Sequence, residues 1–184
     1  LLPTIRSRCQ VSDFTKPKTE ESLIWLKARN AQEEGREDYS DQDLMDVLAL
    51  AYFSPLKAME YLEIDALKEY QLMLEEMGGF LKNESLSSVI AARWNDDMAH
   101  LRLSWVAHWL ELILKIKLKS TRDEQLLAHK MFTYLSEKST YAELFELYNY
   151  CLAQYRLFLG TSNPNKVLAF ESLLHKWSAL MRKT

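Results

Sequence analysis

Two stretches of the chain, residues 98–119 and 141–158, carry apolar side chains at every third or fourth position for almost twenty residues. This spacing places apolar side chains on one face of an α-helix, as in helices that pack into a bundle. The 184 residues include only 4 glycines and 4 prolines, too few for the many turns of a β-sandwich or β-barrel. We therefore predict an all-α fold.

Charge and composition exclude several classes of protein. The chain has 23 Lys+Arg against 26 Asp+Glu, and 48% of its residues are hydrophobic, which is typical of a globular domain. A net charge of -3 gives no electrostatic basis for direct binding of nucleic acid by this chain. No apolar run approaches the roughly 20 residues of a spanning helix. Two cysteines cannot build a disulfide framework, so we expect a reducing, cytoplasmic compartment and no membrane.

Local signals divide the chain into several helices. We expect N-caps at Thr19 and Ser40, a helix start at Ser54–Pro55 and an exposed loop over residues 32–38. In the second part we expect a kink or break at Gly78–Gly79, a helix end at Gly160 and a last helix opening at Asn163–Pro164. The helices lengthen after residues 63–65, so we place a domain boundary there.

The two long apolar stretches are interpreted as bundle core. The wide apolar face of residues 98–119 fits the centre of a bundle better than its rim. The aromatic stripe from Tyr141 to Phe158 is likewise assigned to the core.

The sequence offers little conventional catalytic chemistry. None of the histidines (His100, His108, His129, His175) is paired at metal-binding spacing, and there is no glycine-rich phosphate loop or nucleophile elbow. We expect no metal and no cofactor in this chain. The acidic side chains are spread over helix faces, and Asp96–Asp97 before a helix reads as a favourable charge pair.

One segment near the start is chemically distinctive. Residues 2–10 read Leu-Pro-Thr-Ile-Arg-Ser-Arg-Cys-Gln and lead into a short alternating stretch at residues 10–14, which we predict to be a strand. An arginine held at the edge of a rigid element presents a planar, always charged guanidinium, which can stabilise a transferring phosphate across an interface. A lone strand needs a partner, and the chain opens without Met, so we expect a further part upstream.

This segment resembles the Ser-Arg-Cys motif of the clamp-loader AAA+ subunits of bacterial DNA polymerase III, here Ser7-Arg8-Cys9. Residues 48–58 are similar to a segment of the family's helical lid, and residues 163–174 are similar to the terminal helix of its collar. The resemblance covers essentially the whole chain, as the carboxy-terminal half of a family member.

The resemblance implies a division into residues 1–15 as the last strip of the AAA+ base, 16–63 as a three-helix lid and 64–184 as a helical collar domain for oligomerisation. Arg8 would be the arginine finger, acting in trans on ATP bound to a neighbouring subunit. Ser7 and Cys9 would support it, and Arg6 could be an auxiliary cation. The family's zinc-binding cysteines would lie upstream, so no zinc is expected here.

The resemblance also implies the partners. Five loader subunits associate through their collars into a heteropentamer, which opens a sliding clamp and places it on primed DNA for the polymerase. By itself the chain would be non-catalytic, within an assembly that has DNA-directed DNA polymerase (nucleotidyltransferase) activity. It would stimulate ATP hydrolysis on its neighbour.

Two positions depart from the ATP-hydrolysing members of the family. Leu56, with Lys57 beside it, stands where those members carry a sensing arginine, and Phe53 stands where glycine is usual. Both departures favour a member that does not hydrolyse ATP. Two alternatives stay open at this point: an ATP-hydrolysing loader subunit, and an unrelated helical interaction module.

Overall fold

The computed structural model describes Arg8 and residues 17–32, 39–120, 129–161 and 163–181. Within these ranges the regular elements are all α-helices, so the predicted all-α class is confirmed. The predicted strand at residues 10–14 and nearly all of the predicted loop at 32–38 lie outside the described residues. The chain forms two compact units, the first ending at Glu69 and the second beginning at Tyr70. The boundary expected at residues 63–65 stays a prediction.

The described residues of the first unit include three complete helices, each of which packs against the other two. They are α1 (Thr19–Asn30), α2 (Asp41–Leu50) and α3 (Pro55–Glu63). Apolar side chains at helical spacing meet between them, and burying these side chains is the main stabilising contribution to the unit. The buried residues are Leu26, Leu44, Val47, Leu48, Ala51, Ala58, Met59, Tyr61 and Leu62.

The helix starts in this unit test the local sequence signals. Ser40 is the N-cap of α2: its hydroxyl accepts from the Asp43 amide at 3.2 Å, and the Asp43 carboxylate accepts from the Ser40 amide at 3.0 Å. Pro55 occupies the first turn of α3 after Ser54. Both starts are confirmed. Thr19, however, is the first helical residue and not the N-cap, because the Ser22 amide closes the first turn on the Lys18 carbonyl at 2.9 Å.

The second unit is built around one central helix. Its elements are the part of α4 (Ala66–Leu81) that follows Glu69, α5 (Ser87–Arg93), α6 (Ala99–Lys117), α7 (Lys130–Lys138), α8 (Tyr141–Leu159) and α9 (Lys166–Met181). Helix α6 packs against α7 and α8, while α9 packs against α5, α7 and α8. In the part of the chain that the structure describes, no helix is both long and apolar enough to cross a membrane.

Large aromatic side chains fill the core of the second unit. Trp105 and Trp109 on α6 are buried, and Trp109 lies edge-on to Trp177 of α9 with ring centroids 6.2 Å apart. Trp94 and Phe170 make a similar edge-on contact at 5.4 Å. This geometry is favoured because the positive edge of one ring meets the negative face of another. The prediction that α6 lies at the centre of a bundle is confirmed.

Two helices of the second unit, α4 and α6, are each followed by a residue in the left-handed conformation. Of the kink or break expected at Gly78–Gly79, the break is wrong, since α4 continues to Leu81, and the kink stays a prediction. Asn83, two residues after the end of the helix, has φ 61°, and the Glu84 amide donates to the Gly79 carbonyl at 2.9 Å. Such a left-handed residue satisfies the last carbonyls of a helix and is usually glycine. Lys119, with φ 54°, follows α6 in the same way.

The last two helices show one agreement and one correction. Gly160 directly follows α8, as expected, although its φ of -78° is not left-handed. The start expected at Asn163–Pro164 is too early by a few residues. Helix α9 begins at Lys166, and the Asn165 side-chain oxygen accepts from the Leu168 amide at 3.0 Å. Asn165 is thus the residue that supplies the capping acceptor.

Lys119→Gly is expected to stabilise the protein by about 1 kcal/mol, because a side chain in the left-handed region costs about 1–2 kcal/mol that glycine avoids. The Lys119 side chain is exposed, so little contact is lost. The matched control is Ala153→Gly at an exposed position inside α8, which should destabilise by about 0.5–1 kcal/mol. Urea unfolding measures both values, and destabilisation by Lys119→Gly would contradict the strain argument.

Candidate functional site

The predicted finger residue lies at the surface. Arg8 is in a turn and its side chain is exposed to solvent. Its neighbours in the motif, Arg6, Ser7 and Cys9, lie outside the described residues. An exposed guanidinium can approach a group on another molecule, which is the minimum that a finger acting in trans requires.

The turn between α2 and α3 holds two consecutive aromatic residues in the left-handed region. Tyr52 has φ 56° and Phe53 has φ 58°. The Tyr52 amide donates to the Ala49 carbonyl at 3.0 Å and the Phe53 amide donates to the Leu48 carbonyl at 2.8 Å. Positive φ is where glycine costs least. This chain forms the turn with Tyr52 and Phe53 at positive φ, so its backbone is strained there.

Leu56, at the second position of α3, faces solvent with 70% of its surface exposed. Its side chain has no charge and no hydrogen-bonding group, so it cannot pair with a phosphate as a sensing arginine would. The adjacent cation is Lys57, whose ammonium lies 5.4 Å from the ring centre of Tyr52 and 5.2 Å from that of Tyr61. Cation–π attraction holds this lysine against the two rings of its own unit.

Three titratable side chains, His108, Glu111 and Lys115, lie next to one another on the partly exposed face of α6. Lys115 donates to the Glu111 carboxylate at 2.8 Å, and the His108 ring nitrogen lies 3.7 Å from the same group. The hydrogen bond from Lys115 is the main cause that lowers the pKa of Glu111. Burial is the main cause that lowers the pKa of His108. These side chains stabilise one helix face, at i, i+3 and i, i+4 spacing.

In the described part of the second unit, Cys151 and the pair Ser87 and His175 are not arranged for catalysis. Burial raises the pKa of the Cys151 thiol to about 12, and a thiol that stays protonated is a poor nucleophile. Ser87 Oγ and His175 Nε2 are 3.5 Å apart beside an open cleft of about 440 Å³, too far for a strong hydrogen bond. Among the described residues no three His, Cys, Asp or Glu side chains cluster as a metal site would require.

Helix α8 differs from its sequence interpretation. Its core side is formed by Leu144, Leu147 and Cys151, which are buried. The interpretation of the whole aromatic stripe as core is wrong, because Tyr141 is 43% exposed and Phe145 is 51% exposed. The exposed and half-buried apolar positions form a second stripe, which we call the α8 seam: Tyr141, Phe145, Tyr148, Leu152, Tyr155 and Leu159. The regular 4-3-4-3-4 spacing of these residues marks the stripe in the sequence, but the spacing alone does not tell which stripe of α8 is exposed.

Comparison with known proteins places the chain in a family. Residues 64–179, more than half of the chain, match the family described as DNA polymerase III, delta subunit, C terminal. The chain is also 33% identical, over 184 residues, to DNA polymerase III subunit delta′ of Pseudomonas aeruginosa, with 98% of the chain and 54% of that relative covered. It is 27% identical, over 126 residues, to subunit delta′ of Haemophilus influenzae, with 68% and 36% covered.

The chain therefore spans about half of the length of the first curated relative and about a third of the second. The family match lies mainly on the second unit, and the alignment to the Pseudomonas protein extends over both units. The predicted resemblance to a bacterial DNA polymerase III subunit is confirmed, and the relatives are of the delta′ type. The chain belongs to the family of DNA polymerase III delta-subunit carboxy-terminal domains.

Proposed function

We propose that this chain is the carboxy-terminal part of a delta′-type clamp-loader subunit, which assembles with the other loader subunits and activates one of them. The observation that carries the proposal is the similarity to a delta′ subunit over 98% of the chain. The match of residues 64–179 to a domain of another DNA polymerase III subunit supports a shared collar-type role for the second unit.

In this proposal the subunit is not itself an enzyme. Leu56 presents no cation at the position of the sensing arginine, and Lys57 is held between two tyrosine rings of its own unit. The chain would instead supply Arg8 to ATP on a neighbouring subunit, supported by Ser7 and Cys9, with Arg6 as an auxiliary cation. Because a guanidinium stays charged and binds phosphate oxygens in a fork, it can stabilise charge that develops during phosphoryl transfer.

The remaining parts of the proposal follow from that role. Residues 1–15 would complete the AAA+ base, residues 16–63 would be the lid and residues 64–184 the collar. The partners would be the ATPase subunits and delta in a heteropentamer, with the sliding clamp and primed DNA reached through the assembly. No cofactor or metal of its own is proposed for this chain. We propose a cytoplasmic location, because the replication machinery works there.

The test is assembly. The full-length protein is mixed at micromolar concentration with the ATPase subunits and delta, and the mass of the resulting complex is measured by sedimentation. We expect one complex that contains a single copy of this protein. A folded full-length protein that stays separate from the other subunits would contradict the proposal. An intact phosphate loop upstream, together with ATP hydrolysis by the isolated protein, would favour the ATP-hydrolysing alternative.

A further inference from the structure

We propose that the α8 seam is the docking site for an amphipathic α-helix of another DNA polymerase III subunit, one that carries acidic residues near both ends. The proposal rests on the proposed function and deepens it by assigning the contact to named residues. Four observations support it: the spacing of the seam, its exposure, its area and the charges at its ends.

The spacing selects a helix as the occupant. Residues 141, 145, 148, 152, 155 and 159 repeat at alternating intervals of four and three, which is the seam of two helices packed at a shallow crossing angle. Tyrosine stands at every seventh position, at Tyr141, Tyr148 and Tyr155. The seam runs the 19-residue length of α8, which is about 28 Å at 1.5 Å per residue.

The residues of the α8 seam are exposed or half-buried, whereas the neighbouring apolar stripe of the same helix is buried. Leu144, Leu147 and Cys151 of α8 are buried. Phe145, one residue from Leu144 and on the next face, is half-exposed. Aromatic residues are enriched at protein interfaces because a large rigid surface is buried at little entropic cost. A half-exposed phenylalanine in the middle of such a repeat is suited to be an anchor of the contact.

The area argues against a stable homodimer through this seam alone. An aromatic side chain carries about 150–250 Å², so Tyr141 and Phe145, which are 43% and 51% exposed, present roughly 140–240 Å² between them. A standard interface buries about 800 Å² on each partner. The seam is therefore the centre of a contact that the rest of a larger assembly completes.

The charges identify the type of partner. At one end the Lys117 ammonium lies 5.2 Å from the ring centre of Tyr141. At the other end Arg156 is exposed, one turn from Leu152 and next to Tyr155. Two copies would bring like charges together in either orientation: in a parallel pair Arg156 faces Arg156, and in an antiparallel pair Arg156 approaches the Lys117 end. A helix with carboxylates at both ends complements this arrangement.

The test uses the full-length protein and the other loader subunits. Phe145→Glu places a charge in the middle of the seam at an exposed position of α8. We expect at least a tenfold loss of affinity for the assembly, as for the loss of an interface anchor. The matched control is Leu168→Glu on α9, where the side chain is 58% exposed and lies off the seam. The affinity of this variant for the assembly should stay within about twofold of the affinity of the parent protein.

A second variant, Arg156→Glu, tests the charges. It should weaken association about threefold to tenfold and reduce its dependence on salt, because complementary charges steer the encounter. Thermal melting of each variant checks that it is folded. Normal assembly of folded Phe145→Glu and Arg156→Glu would overturn the seam while the proposed function stands. Failure of the parent protein to assemble would overturn both. A self-association of the protein alone that Phe145→Glu abolishes would identify a second copy as the occupant and overturn the proposed partner.

Discussion

Replacing Arg8 by alanine in the full-length protein is expected to lower DNA-stimulated ATP hydrolysis at the one neighbouring site that Arg8 would face, on the order of a thousandfold. An arginine finger supplied in trans contributes about 10³–10⁵ to the rate of phosphoryl transfer, because its charge is placed where negative charge develops. The Arg8 side chain is exposed and in a turn, so its removal should leave folding and assembly intact. The measurement is the ATPase of complexes of verified mass in which only the neighbouring subunit keeps an active ATP site, so that the other sites do not mask the loss.

Two further variants sharpen this prediction. Arg8→Lys keeps the charge but loses the planar fork, so most of the loss should remain. Arg6→Ala should cost much less if Arg6 is only an auxiliary cation. Impaired assembly by Arg8→Ala, with an unchanged ATPase in whatever complex still forms, would mean that Arg8 is a structural residue and not a finger.

Trp109→Ala is expected to destabilise the second unit by about 3–5 kcal/mol, the range measured when a buried aromatic residue is truncated. Trp109 is buried, its indole N–H donates to the Tyr70 hydroxyl at 2.8 Å, and its ring contacts Trp177 and Phe132. For a unit of this size the melting temperature should fall by roughly 10–20 °C. Calorimetry of the parent and the variant measures the change.

Controls separate the cavity from the hydrogen bond. Tyr70→Phe keeps the ring but removes the acceptor of the indole N–H, so it should cost about 1–3 kcal/mol. Burial raises the pKa of Tyr70, which is consistent with a hydroxyl that stays protonated and accepts this bond. Trp25→Ala removes an exposed indole in the first unit and should change stability by less than about 1 kcal/mol. A Trp109→Ala protein that melts like the parent would contradict the described core.

Features that depend on neighbouring residues in the chain were predictable. The period of the apolar positions indicated helices, and the cap at Ser40 and the start at Pro55 were found where expected. The bonds that fix these starts join residues at most four positions apart, so the sequence contains both partners. The Ser-Arg-Cys motif is local in the same sense. Its residues could be named from the sequence alone, and Arg8 remains a proposal that the ATPase measurement tests.

Some features depend on whether tertiary packing outweighs a local conformational preference. These features could not be predicted from the sequence. Gly78–Gly79 costs about 1 kcal/mol per glycine in a helix, and that cost suggested a break. Met73 and Met77 of the same helix are buried, and burying each such side chain contributes about 1.5–3 kcal/mol. Packing therefore outweighs the glycine pair. Asn83 and Lys119 adopt the left-handed conformation just after helix ends, where backbone hydrogen bonds satisfy the last carbonyls.

Helix α8 shows most clearly which features follow from the sequence and which depend on the tertiary structure. The sequence by itself determined that this segment is a helix with two adjacent apolar stripes, because the period of the side chains along the chain is a local property. Which stripe is buried depended on where α6 and α9 pack against it, and the period of the side chains along α8 does not specify that. Because packing filled the stripe of Leu144, Leu147 and Cys151 and left Phe145 half-exposed, only the tertiary structure could distinguish the core of this protein from the surface that we propose for its partner.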